Sequence, residues 1–420
     1  MADEPLESFV LPPTTLPEEV RVALLISWIA KFASERLALT QQGWGSEGSG
    51  RRTYSFGAPT AAHFVVATTS PGDLWELTQC RDLTLNRVLE VINESVARTA
   101  AGDLGGDVTY RVEMNTEPIT IDARLGLHFQ RLLGDEVRIV GKRRLSNQVV
   151  LDFSEDRPEP PTGPLLFAPR SHVQCYLFAP GPIHGPLSLN TAIGMAEVTS
   201  AICTVALGRV AEFNASQLQF PAAEPDAASA RALRDDPAIL GLARDGVSLD
   251  VFGELTQRGG SDSLLKVRGA LLSYHAALQQ SNADVATILL VTALEALITP
   301  AQPWRKERTT KRFVDALQEL CPDAVDTMVA HSNVEQALAY KRRGGPQARR
   351  KQMLARLYDL RSTPAHAGLG LTRRSALMML GDPGAMRVAL VSDLARAALL
   401  AFMQSPRSFL IGHPAFGHES

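Results

Sequence analysis

The chain has 420 residues, 45% hydrophobic and 21% charged, with a formal net charge of -3. That length exceeds the usual size of a single hydrophobic core and predicts two or three domains of ordinary globular composition. The overall charge excludes a protein that coats nucleic acid with its whole surface. The spread is uneven, however: residues 300–375 hold fifteen Lys and Arg against seven Asp and Glu, a balance of +8 that leaves -11 for the remainder. A basic segment on an acidic body points to a local anionic partner.

Cys80, Cys175, Cys203 and Cys321 lie far apart without paired ligand spacing, which argues against a zinc site or a disulfide framework and fits a reducing cytoplasm. The start, Met-Ala-Asp-Glu-Pro, lacks the basic region and cleavage site of a secretory signal. No membrane span is expected either: Glu295 interrupts the apolar run at Val285–Ile298, and Asp393 and Arg396 interrupt the last one.

In chain order, Thr15-Leu-Pro-Glu18 reads as a capping box opening a helix over Leu16–Leu39, with Trp28, Ile29 and Phe32 on its apolar face. The following Gly-Trp-Gly-Ser-Glu-Gly-Ser-Gly reads as a flexible loop with neither a phosphate-binding nor a nucleophile-elbow pattern. Strands are expected at Ala62–Thr69, Val108–Glu113, Glu136–Val140, Gln148–Phe153 and His172–Phe178, and helices at Leu83–Thr99 and Asn190–Phe213, the latter with an Asn cap. The run Asp156–Pro164, rich in Pro, marks a loop or subdomain boundary. Residues 1–213 are therefore a mixed α/β region, and 214–262, rich in Ala, Pro, Asp and Gly, a linker with short helices.

After that the pattern is helical, and residues 263–420 read as a helical bundle. The fold class is an α+β amino-terminal region followed by an all-α domain. Leu264, Val267, Leu271, Tyr274 and Leu278 form one stripe, and Ser281-Asn-Ala-Asp284 caps the next helix, Val285–Ile298. That helix is apolar on nearly every side and should be central, so its Glu295 needs a cationic or hydrogen-bonding partner, or must take up a proton. Helices are expected at Glu307–Leu320, Asp326–Ala339 and Gly384–Met403.

Between the last two lies Gln352–Gly368. Met353, Leu354, Leu357 and Leu360 recur on one helix face, with Arg361 at its end and His366 beyond. Pro364 predicts a break or kink over Ser362–Pro364 that would let the Arg and His converge, since positions five apart on an unbroken helix point about 140° apart. The basic approach Lys341, Arg342, Arg343, Arg349, Arg350 and Lys351 suits contacts to RNA phosphates; as a solvated surface it needs no ligand. No aromatic-rich strand accompanies it, so base stacking is not supported. An Arg and a His at a helix end also serve simply to satisfy carbonyls and the helix dipole. Of the other histidines, His63, His128, His172, His184, His275, His413 and His418 show no metal-site spacing.

Ala293-Leu-Glu-Ala-Leu297, Leu357-Tyr-Asp-Leu-Arg-Ser362 and the following His366 resemble the HEPN superfamily, most closely its Apea-like branch, over about Ser263–Met403. The order of helices agrees. One departure is local: the family usually has Gly directly after the His, whereas Ala367 precedes Gly368 here. The resemblance implies a metal-independent endoribonuclease without cofactor, acting as a homodimer or higher even oligomer in toxin systems or antiphage defence. Carried over by position, Arg361 and His366 are the catalytic pair, Ser362 the polar residue after the Arg, and Glu295 the carboxylate of the second helix, either catalytic or a structural partner of Arg361. The amino-terminal region would sense a phage-derived trigger or bind a regulatory partner. A non-catalytic HEPN scaffold that binds RNA or dimerises is the competing class.

Overall fold

The computed structural model describes residues 6–46, 51–68, 74–116, 141–146, 148–153, 171–207, 210–220, 231–232, 262–298, 309–367 and 383–404. Antiparallel sheet with helices comes first along the chain and helices alone come last.

The first sheet has five antiparallel strands in the order β1-β5-β4-β3-β2, from β1 (Glu7–Val10), β2 (Gln41–Ser46), β3 (Arg52–Phe56), β4 (His63–Thr68) and β5 (Leu74–Arg81). Period-2 alternation sends Phe56, Phe64, Val66, Trp75 and Leu77 into a core where each is fully buried. The pairs Phe56↔Phe64, Tyr54↔Val66 and Phe9↔Trp75 fix the register. Helix α1 (Glu18–Leu37) contributes Leu24, Leu25, Ile26, Trp28, Ile29 and Phe32 to the same core. Helix α2 (Leu85–Ala100) adds Val88, Val91 and Ile92. Burial of such side chains stabilises by about 1.5–3 kcal/mol each.

Two local expectations are corrected here. The capping box at Thr15–Glu18 does not form. Pro17, at φ -55 and ψ 147, is the N-cap without a side-chain hydrogen bond, and Thr14 Oγ1 accepts from the Leu16 N–H at 3.1 Å. Glu18 and Glu19 instead place negative charge in the first turn, where the dipole favours it. The Gly-rich stretch expected as loop enters edge strand β2, where Trp44 pairs opposite Tyr54. Hydrogen bonds from the neighbouring strand β3 override the low strand preference of Gly43 and Gly45.

A second sheet has the order β10-β6-β9-β8-β7-β11, with β6 (Asp107–Thr116), β7 (Gly141–Ser146), β8 (Val149–Phe153), β9 (Ser171–Pro180), β10 (Ala211–Phe213) and β11 (Arg231–Ala232). Helix α3 spans Pro186–Leu207, so Asn190 is interior to it, not its cap, and Ala211–Phe213 is strand. Pro186 occupies the first helical position, where its missing N–H costs nothing, and Ser188 Oγ accepts from the Gly185 N–H at 3.2 Å. Of 214–262, Ala215–Gln217 is a 3₁₀ turn capped by Asn214 and Arg231–Ala232 is strand. The expected strand at 136–140 and loop at 156–164 lie outside the described residues.

Among the described residues seven helices follow: α4 (Asp262–Leu278), α5 (Ala283–Ile298), α6 (Thr309–Leu320), α7 (Pro322–Ala330), α8 (Val334–Leu338), α9 (Pro346–Ala367) and α10 (Pro383–Gln404). The single helix expected over 326–339 is two, broken at His331–Asn333, where His331 is extended (ψ 130) and its Nδ1 accepts from the Asn333 N–H. Val267, Leu271, Tyr274 and Leu278 are all buried, as their spacing on α4 requires. Asn282, not Ser281, caps α5, its Oδ1 accepting from the N–H groups of Asp284 and Val285. Helix α5 packs against α4, α6, α9 and α10, the central place its composition demands. Among the described residues no helix is long and apolar enough to cross a membrane.

By internal contacts the chain forms two units, one of residues 1–110, 177–193 and 220–222, the other of 111–176, 194–219 and 223–420. These units interleave along the sequence, whereas composition alone suggested a linear succession of parts.

Candidate functional site

Helix α9 begins after Gly344, whose φ of +78 suits glycine, and Pro346 is its first residue. Met353, Leu354, Leu357 and Leu360 are buried, which fixes the helix's rotation. Polar ties fix its height against α7 and α8. The Arg350 guanidinium pairs with Asp326, and Arg356 Nε donates to the Leu338 carbonyl at 2.9 Å. Just before α9, Arg342 donates to Glu335 Oε1 through both its backbone N–H (2.9 Å) and Nε (2.8 Å), and to the Val329 carbonyl through Nη1 at 3.1 Å. Those donors pull the Glu335 carboxyl below its usual range.

At the other end of the helix, Arg361 Nη1 forms an ion pair with Glu295 Oε2 on α5. The carboxylate that the sequence places inside an apolar helix thus meets a guanidinium. Its second oxygen, Oε1, accepts from the Tyr358 hydroxyl at 3.4 Å, and the Tyr358 ring packs tilted against buried Phe313 of α6, centroids 5.0 Å apart. Arg361 keeps 40% of its side chain accessible and Glu295 23%. Such a site holds a guanidinium in a partly accessible side chain at the junction of two helices, an arrangement that suits an anion.

The expected break at Ser362–Pro364 is not present: α9 continues past Pro364 to Ala367. Proline this close to the helix end removes one intrahelical hydrogen bond, and the last turn is still completed. Ser362 and His366 therefore sit on described helical backbone, while their side chains lie outside the described set. Without a break, positions 361 and 366 are about 140° apart around the axis. Position 366 falls instead on the flank that carries positions 351, 355, 358 and 362.

The six basic residues before and within α9 divide into two groups. Arg342 and Arg350 are committed to ion pairs. Lys341, Arg343, Arg349 and Lys351 are exposed, Arg349 with Nε donating to the Gly344 carbonyl at 3.0 Å. The first two build the helix junction, and the other four present charge to solvent.

Other reactive groups have structural neighbours. His63 Nδ1 lies 3.0 Å from the Ala61 carbonyl, His184 Nδ1 2.8 Å from the Tyr110 hydroxyl, and His275 Nδ1 2.8 Å from Thr204 Oγ1. Burial pushes the Cys203 and Cys321 thiols up to about 12 and that of Cys175 well above its ordinary value, so none is a thiolate at neutral pH. Among the described residues no group of His, Cys, Asp and Glu is placed to hold a metal ion. His128, His413 and His418 lie outside the described residues, as does the side chain of His172.

Sequence reasoning did not connect Tyr358 with Glu295, although a residue three positions before Arg361 shares its helix face. Nor did it find the buried Arg387, which donates from Nη2 to Asp284 Oδ1 at 2.6 Å and from Nε to Thr287 Oγ1 at 3.0 Å, joining α10 to α5. Asp284 read as a cap residue, and that reading concealed its cross-helix partner.

No family model, curated protein or solved structure matches the chain.

Proposed function

We propose that the protein is a metal-independent endoribonuclease of the HEPN type, with an α+β region that restrains or triggers a carboxy-terminal nuclease bundle. One observation supports this most directly: Arg361, on the carboxy-terminal part of a bundle helix, is held by Glu295 of the central helix yet remains 40% accessible. A guanidinium so placed can take phosphate oxygens bidentately and stabilise the charge that develops on a phosphorane. The reaction it serves is attack of a ribose 2'-oxygen on phosphorus with loss of its proton to a base, followed by cleavage of the P–O5' bond and protonation of the departing oxygen. Histidine is the side chain whose ordinary pKa lies near neutrality, so His366 is the residue proposed for those proton transfers. In a homodimer or higher even oligomer two copies share them, one as base and the other as acid. Ser362 orients the strand, and Lys341, Arg343, Arg349 and Lys351 attract RNA phosphates without reading sequence. The proposed setting is the cytoplasm, in antiphage defence, with a phage-derived trigger or regulatory partner on the amino-terminal region.

A second reading, a non-catalytic scaffold that binds RNA or dimerises, is favoured by the unbroken α9, which separates positions 361 and 366 around the axis. Incubation of RNA with the full-length protein decides between them. Arg361→Ala and His366→Ala are expected to lower the cleavage rate by about 100-fold or more while the dimer persists, and the products to end in 2',3'-cyclic phosphate. A 3'-hydroxyl end contradicts the mechanism, and absence of cutting by the wild type under every trigger tried favours the scaffold.

A further inference from the structure

We infer that Tyr358 is a positioning residue of this site, acting on Arg361 through Glu295; the inference rests on the ribonuclease reading above. A glutamate carboxylate is the freely turning end of its side chain, because its last torsion is broad and roughly two-fold. A bond to each oxygen restrains that turn. Here both oxygens are engaged: Oε2 by the Arg361 guanidinium and Oε1 by the Tyr358 hydroxyl at 3.4 Å. The phenol is itself held by Phe313, which is fully buried and inclined 52° to it. Packing in the bundle core is thereby passed through a phenol and a carboxylate to the plane of a guanidinium, and that plane decides whether two N–H groups meet two phosphate oxygens.

Helical geometry adds an independent reason. On the continuous α9, position 358 lies about 60° from Arg361 and about 80° from position 366, on the arc between the two proposed catalytic positions. Position 358 therefore shares a side of the helix with the arginine whose carboxylate partner it bonds.

The test uses the full-length chain and Tyr358→Phe, which keeps the ring and its packing on Phe313 and removes only the hydroxyl. RNA cleavage at saturating and limiting substrate is expected to show kcat lower by about 3- to 10-fold with KM changed less than about twofold, the signature of lost orientation as opposed to lost binding. In a Glu295→Gln background the same change is expected to add nothing, because the two residues act in series. A wild type that cuts RNA and a Tyr358→Phe variant that cuts equally well would overturn the positioning role alone, as would additive losses in the double variant. A wild type that does not cut at all overturns both the ribonuclease reading and this inference.

Discussion

The two ends of the chain solve the problem of burial differently. In the first sheet and its helices the core is aromatic and aliphatic: Phe9 and Tyr54 stack on Trp75, Phe56 on Phe64, and Trp28 on Phe32. Its ion pairs Arg36–Glu94 and Arg98–Asp103 lie at the surface, and Arg51–Glu76 is half-buried. In the carboxy-terminal bundle, charged groups enter between helices. The Arg387 side chain is 4% accessible against Asp284, and Glu295 meets Arg361 at the junction of α5 and α9. Surface pairs are worth little, whereas a buried charge that loses its partner costs several kcal/mol. Where a protein accepts that cost, the charges either fix the register of the helices or serve a ligand. Arg387 does the first, and Arg361 is proposed to do the second.

The comparison is tested first where the effects are largest. Trp75→Ala removes the ring that joins Phe9 to Tyr54 and is expected to destabilise by about 3–5 kcal/mol in urea unfolding. Arg387→Ala should come close to it, about 3 kcal/mol, because the buried Thr287 and the partly buried Asp284 both lose the guanidinium that bonds them. If Arg387→Ala costs less than about 1 kcal/mol, the bundle does not depend on its buried charge, and the contrast between the regions fails.

A smaller effect depends on pH. Burial raises the Asp393 carboxyl to about 7, with the Arg396 charge opposing, against an ordinary value of about 3.9. A carboxyl raised on folding favours the protonated form, so its contribution is fully present below about pH 4 and is lost as pH rises through about 7. Asp393→Asn should therefore stabilise the protein by at least about 1 kcal/mol at pH 8 and by nothing measurable at pH 4, and equal gains at both would show that folding does not raise the carboxyl. The smallest effects concern the basic approach to α9. Changing Lys341, Arg343 and Lys351 to Gln should leave stability within about 0.5 kcal/mol of wild type and flatten the salt dependence of RNA binding by about 0.7 per charge that contacts a phosphate. Arg350→Gln should cost about 0.5–1 kcal/mol, since Asp326 loses its partner.

Helices were more legible than strands. Their signal is a stripe carried by one segment, and Val267, Leu271, Tyr274 and Leu278, like Met353, Leu354, Leu357 and Leu360, are buried as their spacing demands. Strand β2, with Gly43 and Gly45 flanking an exposed Trp44, carries no such signal and exists because β3 pairs with it. Ala211–Phe213 read as the end of a helix for the same reason, since the partner that makes it strand is β6, almost a hundred residues earlier. The candidate site was legible in part: Glu295's place in an apolar helix called for a cationic or hydrogen-bonding partner or a proton, and the structure gives it Arg361 and Tyr358.

Sequence alone determined the sum of the matter for any single segment: which faces are apolar, where charge accumulates, and that a carboxylate in the central helix needs a partner. Those properties are short-range, set by side-chain chemistry and the helical repeat. Only the tertiary structure decided which partner each charge receives, that Tyr358 shares Glu295 with Arg361, and that α9 runs on through Pro364. Such outcomes depend on contacts between segments that the chain brings together only on folding, where the free energy of packing outweighs a local preference such as proline's.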